Sequence, residues 1–105
     1  MKILICDDHK IVRDGLKQIL QQLEEPILIG ESGSGNEALN LLKTEVFDIV
    51  LLDISLPDRS GLEVLESIKI KWPVTNVLMR NAFLVGFIVG MPVVVHSITK
   101  PGAGR

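Results

Sequence analysis

"LLDISLPDRSG", residues 51–61, begins as a buried strand and ends as a loop. Ile49, Val50, Leu51 and Leu52 are apolar without alternation. Such a strand is covered on both faces, as in a parallel sheet flanked by helices. The apolar run stops at Asp53, and Pro57, Asp58 and Gly61 follow within eight residues. A segment of this kind carries a carboxylate to the carboxyl end of a strand, where open α/β sheets bind their ligands.

The pattern continues on both sides. "KILIC" (2–6) reads as a strand running into Asp7 and Asp8. Ile11, Leu16, Ile19, Leu20 and Leu23 recur mostly at helical spacing, predicting an amphipathic helix over 10–23 that Pro26 breaks. "ILIG" (27–30) is a second short strand. Ser34 and Glu37 have capping-box spacing and open a helix with Ala38, Leu41 and Leu42 on one face. "FDIVLLD" (47–53) is the third strand; Leu62, Leu65, Ile68 and Trp72 mark a helix stopped by Pro73; "NVLM" (76–79) is a fourth strand. Strands alternating with helices over short connections predict βαβ units and a doubly wound parallel sheet.

At 105 residues the chain has room for one domain. It is 47% apolar and 23% charged, a globular profile. A net charge of −2 gives no electrostatic case for nucleic acid binding. The single cysteine, Cys6, cannot form an internal disulfide, and with no secretory signal a reducing, cytoplasmic setting is expected. Charge is uneven: residues 1–66 hold all 13 acids, and residues 67–105 hold five basic residues and no acid. "AFLVGFIVGMPVVV" (82–95) carries no charge, yet it falls short of the roughly 20 residues that cross a bilayer, so a buried element is expected there.

If the first and third strands are neighbours, about 4.8 Å apart, then Asp7, Asp8 and Asp53 converge. Two unit charges 4 Å apart repel by roughly 4 kcal/mol at a surface-like dielectric. The cluster therefore invites a cation. An incomplete set of oxygen donors, with room for water and phosphate, points to Mg²⁺. Taken singly, Asp8 as a helix cap and Asp53 as a turn acid would be ordinary. Their conjunction with Pro57 and Gly61 is not.

"LICDDH" (4–9) together with "LLDISLPDRSGLEVL" (51–65) resembles the receiver domain of two-component response regulators. There an acidic pair follows the first strand, and an aspartate ending the third precedes a D-x-x-L-P-x-x-x-G-L-E type loop. "DDHxxVRxGL", spanning Asp7 to Leu16, further resembles LuxR-type transcriptional regulators, which carry a C-terminal helix-turn-helix. The resemblance covers residues 2–79 and implies a single flavodoxin-like domain with strand order 2-1-3-4-5. It implies that Asp53 accepts a phosphoryl group from the phosphohistidine of a sensor histidine kinase. Asp7 and Asp8 would hold Mg²⁺, Asp8 directly and Asp7 partly through water, with the backbone carbonyl of Ser55 as a further ligand. Leu56 and Pro57 would shape the loop, and Gly61 would give it conformational freedom. Such a protein is a signal transducer that assists its own phosphotransfer and dephosphorylation, not an enzyme acting on a separate substrate. Its output domain, by this resemblance a transcriptional one, would lie outside the chain.

Two further positions follow from the resemblance. Receivers place Ser or Thr at the end of the fourth strand to bond the phosphoryl group; here that place falls at Asn81, just after Arg80. Receivers also end the fifth strand with a lysine, often before a cis-proline, and Lys100–Pro101 has that pattern. A surface lysine before a turn proline is the alternative. The composition changes abruptly after Met79, and the last helix of the family pattern is missing or altered over 80–105. Natural divergence, truncation and a shifted reading frame are the three accounts, and the abruptness favours the latter two. An uncovered sheet face predicts self-association, with a domain-swapped dimer as one form.

The runner-up function is a receiver-like interaction module whose phosphorylation is uncoupled from any switch. A phosphatase of the haloacid dehalogenase type would need a D-x-D pair, whereas Asp7 and Asp8 are adjacent. "GESGSG" (30–35) lacks the lysine of a phosphate loop and reads as a turn with a helix cap. His9 and His96 have no partners at metal-ligand spacing, and Cys6 reads as core.

Overall fold

The computed structural model describes residues 1–80. In chain order these form β1 (Lys2–Cys6), α1 (Lys10–Gln21), β2 (Leu28–Ser32), α2 (Gly35–Thr44), β3 (Ile49–Asp53), α3 (Gly61–Lys71) and β4 (Asn76–Arg80). The four strands make one parallel sheet of order β2-β1-β3-β4. This is the expected doubly wound order as far as β4. A fifth strand, the stretch 82–95, Asn81 and Lys100 lie outside the described residues.

Strand alternation sorts the side chains into two layers. Leu4 and Cys6 of β1, Val50 and Leu52 of β3, and Val77 and Met79 of β4 face α2 and α3, where they pack with Ala38, Leu42, Phe47, Val64 and Ile68. Ile5 of β1 packs on the other face with Val12 and Leu16 of α1, against Leu20, Ile29 and Leu51. Each fully buried aliphatic side chain contributes roughly 1.5–3 kcal/mol of transfer free energy. Among the described residues the α2–α3 layer buries the larger apolar cluster.

The helix ends follow from their caps. Ser34 accepts from Glu37 N–H at 3.2 Å, as the capping-box spacing predicts. The return bond differs: Glu37 Oε1 accepts from the N–H of Gly33 at 2.7 Å. Ser60 caps α3 through Leu62 N–H at 3.1 Å, and Lys69 and Lys71 occupy its last turn, where the helix dipole favours cations.

Several boundaries need correction, among them the start of the third strand, at Ile49 and not residue 47, and the end of the fourth, at Arg80 and not residue 79. The first helix ends at Gln21, not residue 23. Leu23 is about half exposed and joins neither apolar cluster among the described residues, so the apolar stripe ends before Pro26. The second strand runs over Leu28–Ser32, not 27–30. Its polar end hid it from the apolar pattern. Glu31 is held by Arg13 at 2.9 Å and Lys17 at 2.7 Å, both from α1, and Ser32 pairs with Cys6 in register.

Candidate functional site

β1 and β3 are adjacent, with Cys6 opposite Leu52, so the residues that follow bring Asp7 alongside Asp53. β4 continues the row, with Arg80 opposite Asp53. Ligand atoms of Asp7, Asp8, His9 and Asp53 all lie within 4.8 Å of one another. The expected convergence of the three acids is therefore present at the carboxyl end of the sheet.

The members differ in setting. Asp7 and Asp53 are each 1% exposed, whereas Asp8 is open to solvent. Asp7 Oδ1 accepts from the backbone N–H of His9 at 2.8 Å and lies 3.0 Å from its Nδ1. Asp8 Oδ1 is 3.1 Å from the same nitrogen. His9 therefore has acidic partners after all. The spacing search missed them because its neighbours are local acids folded back at the start of α1, not a second histidine at helical distance. Asp8 is not the helix cap either: His9 holds that position, without a side-chain bond.

Asp53 Oδ1 accepts from Ser55 N–H at 3.1 Å, while Oδ2 is buried and has no hydrogen bond among the described residues. Burial raises the Asp53 carboxyl above its ordinary range and the Asp7 charge adds to this; the Ser55 bond and the Arg80 charge oppose it. The adjacent Cys6 thiol is pushed up to about 12 by burial, so it stays protonated and takes no part in the chemistry.

Arg80 is the residue the sequence reading passed over. Its side chain is buried, its Nη2 pairs with Asp7 Oδ2, and the same nitrogen lies 3.3 Å from Asp53 Oδ2. The signal was available in strand parity. Asp7, Asp53 and Arg80 share the alternation of Ile5, Leu51 and Leu78, so all three belong to the α1 side of the sheet.

The loop after β3 is tied at several points. Ser55 and Ser60 form an antiparallel bridge, and Gly61 N–H donates to Ile54 O at 2.9 Å. Asp58 reaches across to α2, where its two oxygens accept from Gly35 and Asn36 N–H, each at 2.8 Å. These bonds hold the Asp58 carboxyl below its usual range. A capping carboxylate of this kind is worth about 1 kcal/mol and fixes the loop to the neighbouring helix. Gly61 is required for a different reason than the one expected. Its backbone is not in the left-handed region; a Cβ there would stand 2.3 Å from the Asp53 carbonyl oxygen. Close approach, not conformational freedom, selects glycine.

Three carboxylates with an open side suit a hard divalent cation, and the bare Asp53 Oδ2 is an acceptor that such an ion would fill. Asp7, Asp8 and Asp53 fit a Mg²⁺ site, with one oxygen of Asp7 already engaged by Arg80.

The family model of the response regulator receiver domain matches residues 3–84. The transcriptional regulatory protein YdfI of Bacillus subtilis is 41% identical over 70 residues, which are 67% of this chain and 33% of that protein. The response regulator UvrY of Escherichia coli is 35% identical over 68 residues, 65% of this chain and 31% of its own length. A receiver domain protein from Methanospirillum hungatei superposes with a TM-score of 0.71 at 34% identity, covering 76% of this chain and 62% of that one. The chain thus spans about a third of the length of these two curated relatives.

Proposed function

The chain belongs to the response regulator receiver family, and from that premise we propose that Asp53 accepts a phosphoryl group from a sensor histidine kinase, with Mg²⁺ at Asp7 and Asp8. The observation that carries this reading is the state of Asp53. One oxygen is fixed by Ser55, and the other is buried, unbonded among the described residues and directed into a charged crevice. A lone pair on the Asp53 carboxylate forms the O–P bond as the N–P bond of the phosphohistidine breaks, and the imidazole keeps that electron pair. The product is an acyl phosphate. When bound, Mg²⁺ neutralises the phosphoryl oxygens and helps to align the displacement. The protein's own part is positional. Ser55 N–H orients the carboxylate, Asp58 holds the loop to α2, and the β1–β3 register keeps Asp7 beside the nucleophile.

The output would be transcriptional, as the names of the relatives suggest. An apolar groove between α1 and the sheet, lined by Ile5, Leu16, Ile19, Leu20, Leu51 and Leu78, supports self-association through this face. Light scattering over a concentration series should then show mass rising above the monomer, and a constant monomer mass would reject it. Among the described residues no helix is long and apolar enough to cross a membrane.

The test of phosphoacceptance is direct. Incubation with Mg²⁺ and a small phosphodonor such as acetyl phosphate should add one phosphoryl mass to the intact protein, and Asp53→Asn should abolish it. An adduct that persists in Asp53→Asn, or none in the wild type, defeats the reading. One observation favours the interaction-module alternative: Arg80 already supplies positive charge to the acids. The missing adduct would be its signature.

A further inference from the structure

We propose that Arg80 is a tethered counter-cation that competes with divalent metal for the carboxylates of Asp7 and Asp53, so that metal enters only as the guanidinium withdraws. The proposal rests on the reading of the acid cluster as a Mg²⁺ site. Arg80 ends β4 directly opposite Asp53 and is 5% exposed. Its Nη2 pairs with Asp7 Oδ2 and lies 3.3 Å from Asp53 Oδ2. The pairing is incomplete. Arg80 Nη1 and Asp53 Oδ2 are both buried without a hydrogen bond among the described residues. Burying a guanidinium with a donor unmet is costly, so its position answers to charge and not to a saturated hydrogen-bond network.

The same lone pairs cannot serve both cations. A metal needs carboxylate oxygens at about 2.1 Å, and Asp7 Oδ2 is covered by the guanidinium. Two positive charges sharing this crevice would also repel at short range. Arg80 has somewhere to go. It borders the groove lined by Leu16, Ile19, Leu20 and Leu78, a cavity of about 160 Å³. The methylene stem can lie along those apolar walls while the charged head turns to water. Asp8, exposed and without an arginine partner among the described residues, is then the first contact for an arriving ion.

Calorimetric titration with Mg²⁺ alone, on the wild type and on Arg80→Leu, tests this. The variant should bind about tenfold tighter or more, since a neighbouring positive charge has been removed. In the wild type, the side-chain nitrogen resonances of Arg80 should shift as Mg²⁺ is added, a measurement that needs no variant to fold. Equal affinity in the two proteins, or Arg80 resonances indifferent to bound Mg²⁺, overturns the proposal while leaving the metal site standing. No Mg²⁺ binding by either protein overturns the metal-site reading, and this inference with it.

Discussion

Gly61→Ala is expected to lower the thermal midpoint by roughly 12–24 °C, the equivalent of about 3 kcal/mol in a domain of this size. The added methyl would stand 2.3 Å from Asp53 O and 2.7 Å from the Ile54 Cα. Both obstacles are backbone, so no side chain can turn aside. Relief requires the loop after β3 to lift away, breaking the bond from Gly61 N–H to Ile54 O and the bridge between Ser55 and Ser60. The carbonyl that must move belongs to Asp53, the proposed phosphoacceptor, so adduct formation should fall with stability. Gly15→Ala is the control. It lies inside α1 with nothing within 4 Å of the added Cβ, and should be neutral or gain up to about 1 kcal/mol from helix propensity. Circular dichroism melts of both variants decide the matter. If Gly61→Ala melts within a few degrees of the wild type, the close approach is not a requirement of the fold.

The contrast between these two glycines shows what a sequence discloses. A glycine after a proline and an acid reads as a flexible turn, because turn chemistry is local and a steric contact eight residues away is not. The apolar strands were legible for the opposite reason. "KILIC" and "IVLLD" are continuous runs, and their placement as neighbours comes from the strand order that the receiver resemblance implies, since other doubly wound sheets set a different strand beside β1. The convergence of Asp7, Asp8 and Asp53 follows from that order. β2 was displaced because its last residues are Glu31 and Ser32, whose reasons for being in a strand are two cations on α1 and a register with Cys6. Arg80 was missed at the site for a related cause. A basic residue beside acids reads as solvated charge until strand parity turns it inward.

Asp53→Asn should stabilise the metal-free protein at neutral pH by about 1 kcal/mol, or roughly 4–8 °C. Burial and the Asp7 charge raise the Asp53 carboxyl in the folded state. A group whose folded pKa is raised holds its proton more tightly when folded. Its contribution is therefore fully present below the unfolded value and is lost as pH rises through the folded one. At neutral pH the ionised Asp53 is a cost, offset in part by Arg80 at 3.3 Å. Asparagine keeps the shape and removes the charge. The stability difference should be small in acid, grow as pH rises from the ordinary carboxylate range, and level off once the wild-type carboxyl is ionised. Mg²⁺ should narrow it, because a ligand bound more tightly by the wild type stabilises that protein more. Denaturant unfolding of both proteins across this pH range, with and without Mg²⁺, gives the comparison. An Asp53→Asn protein less stable than wild type at neutral pH would mean that the attraction of Arg80 outweighs burial and the repulsion of Asp7. A carboxylate kept buried and short of hydrogen bonds is in keeping with the proposed acceptance of a phosphoryl group by Asp53. The stability that asparagine restores measures how far the fold goes to maintain it.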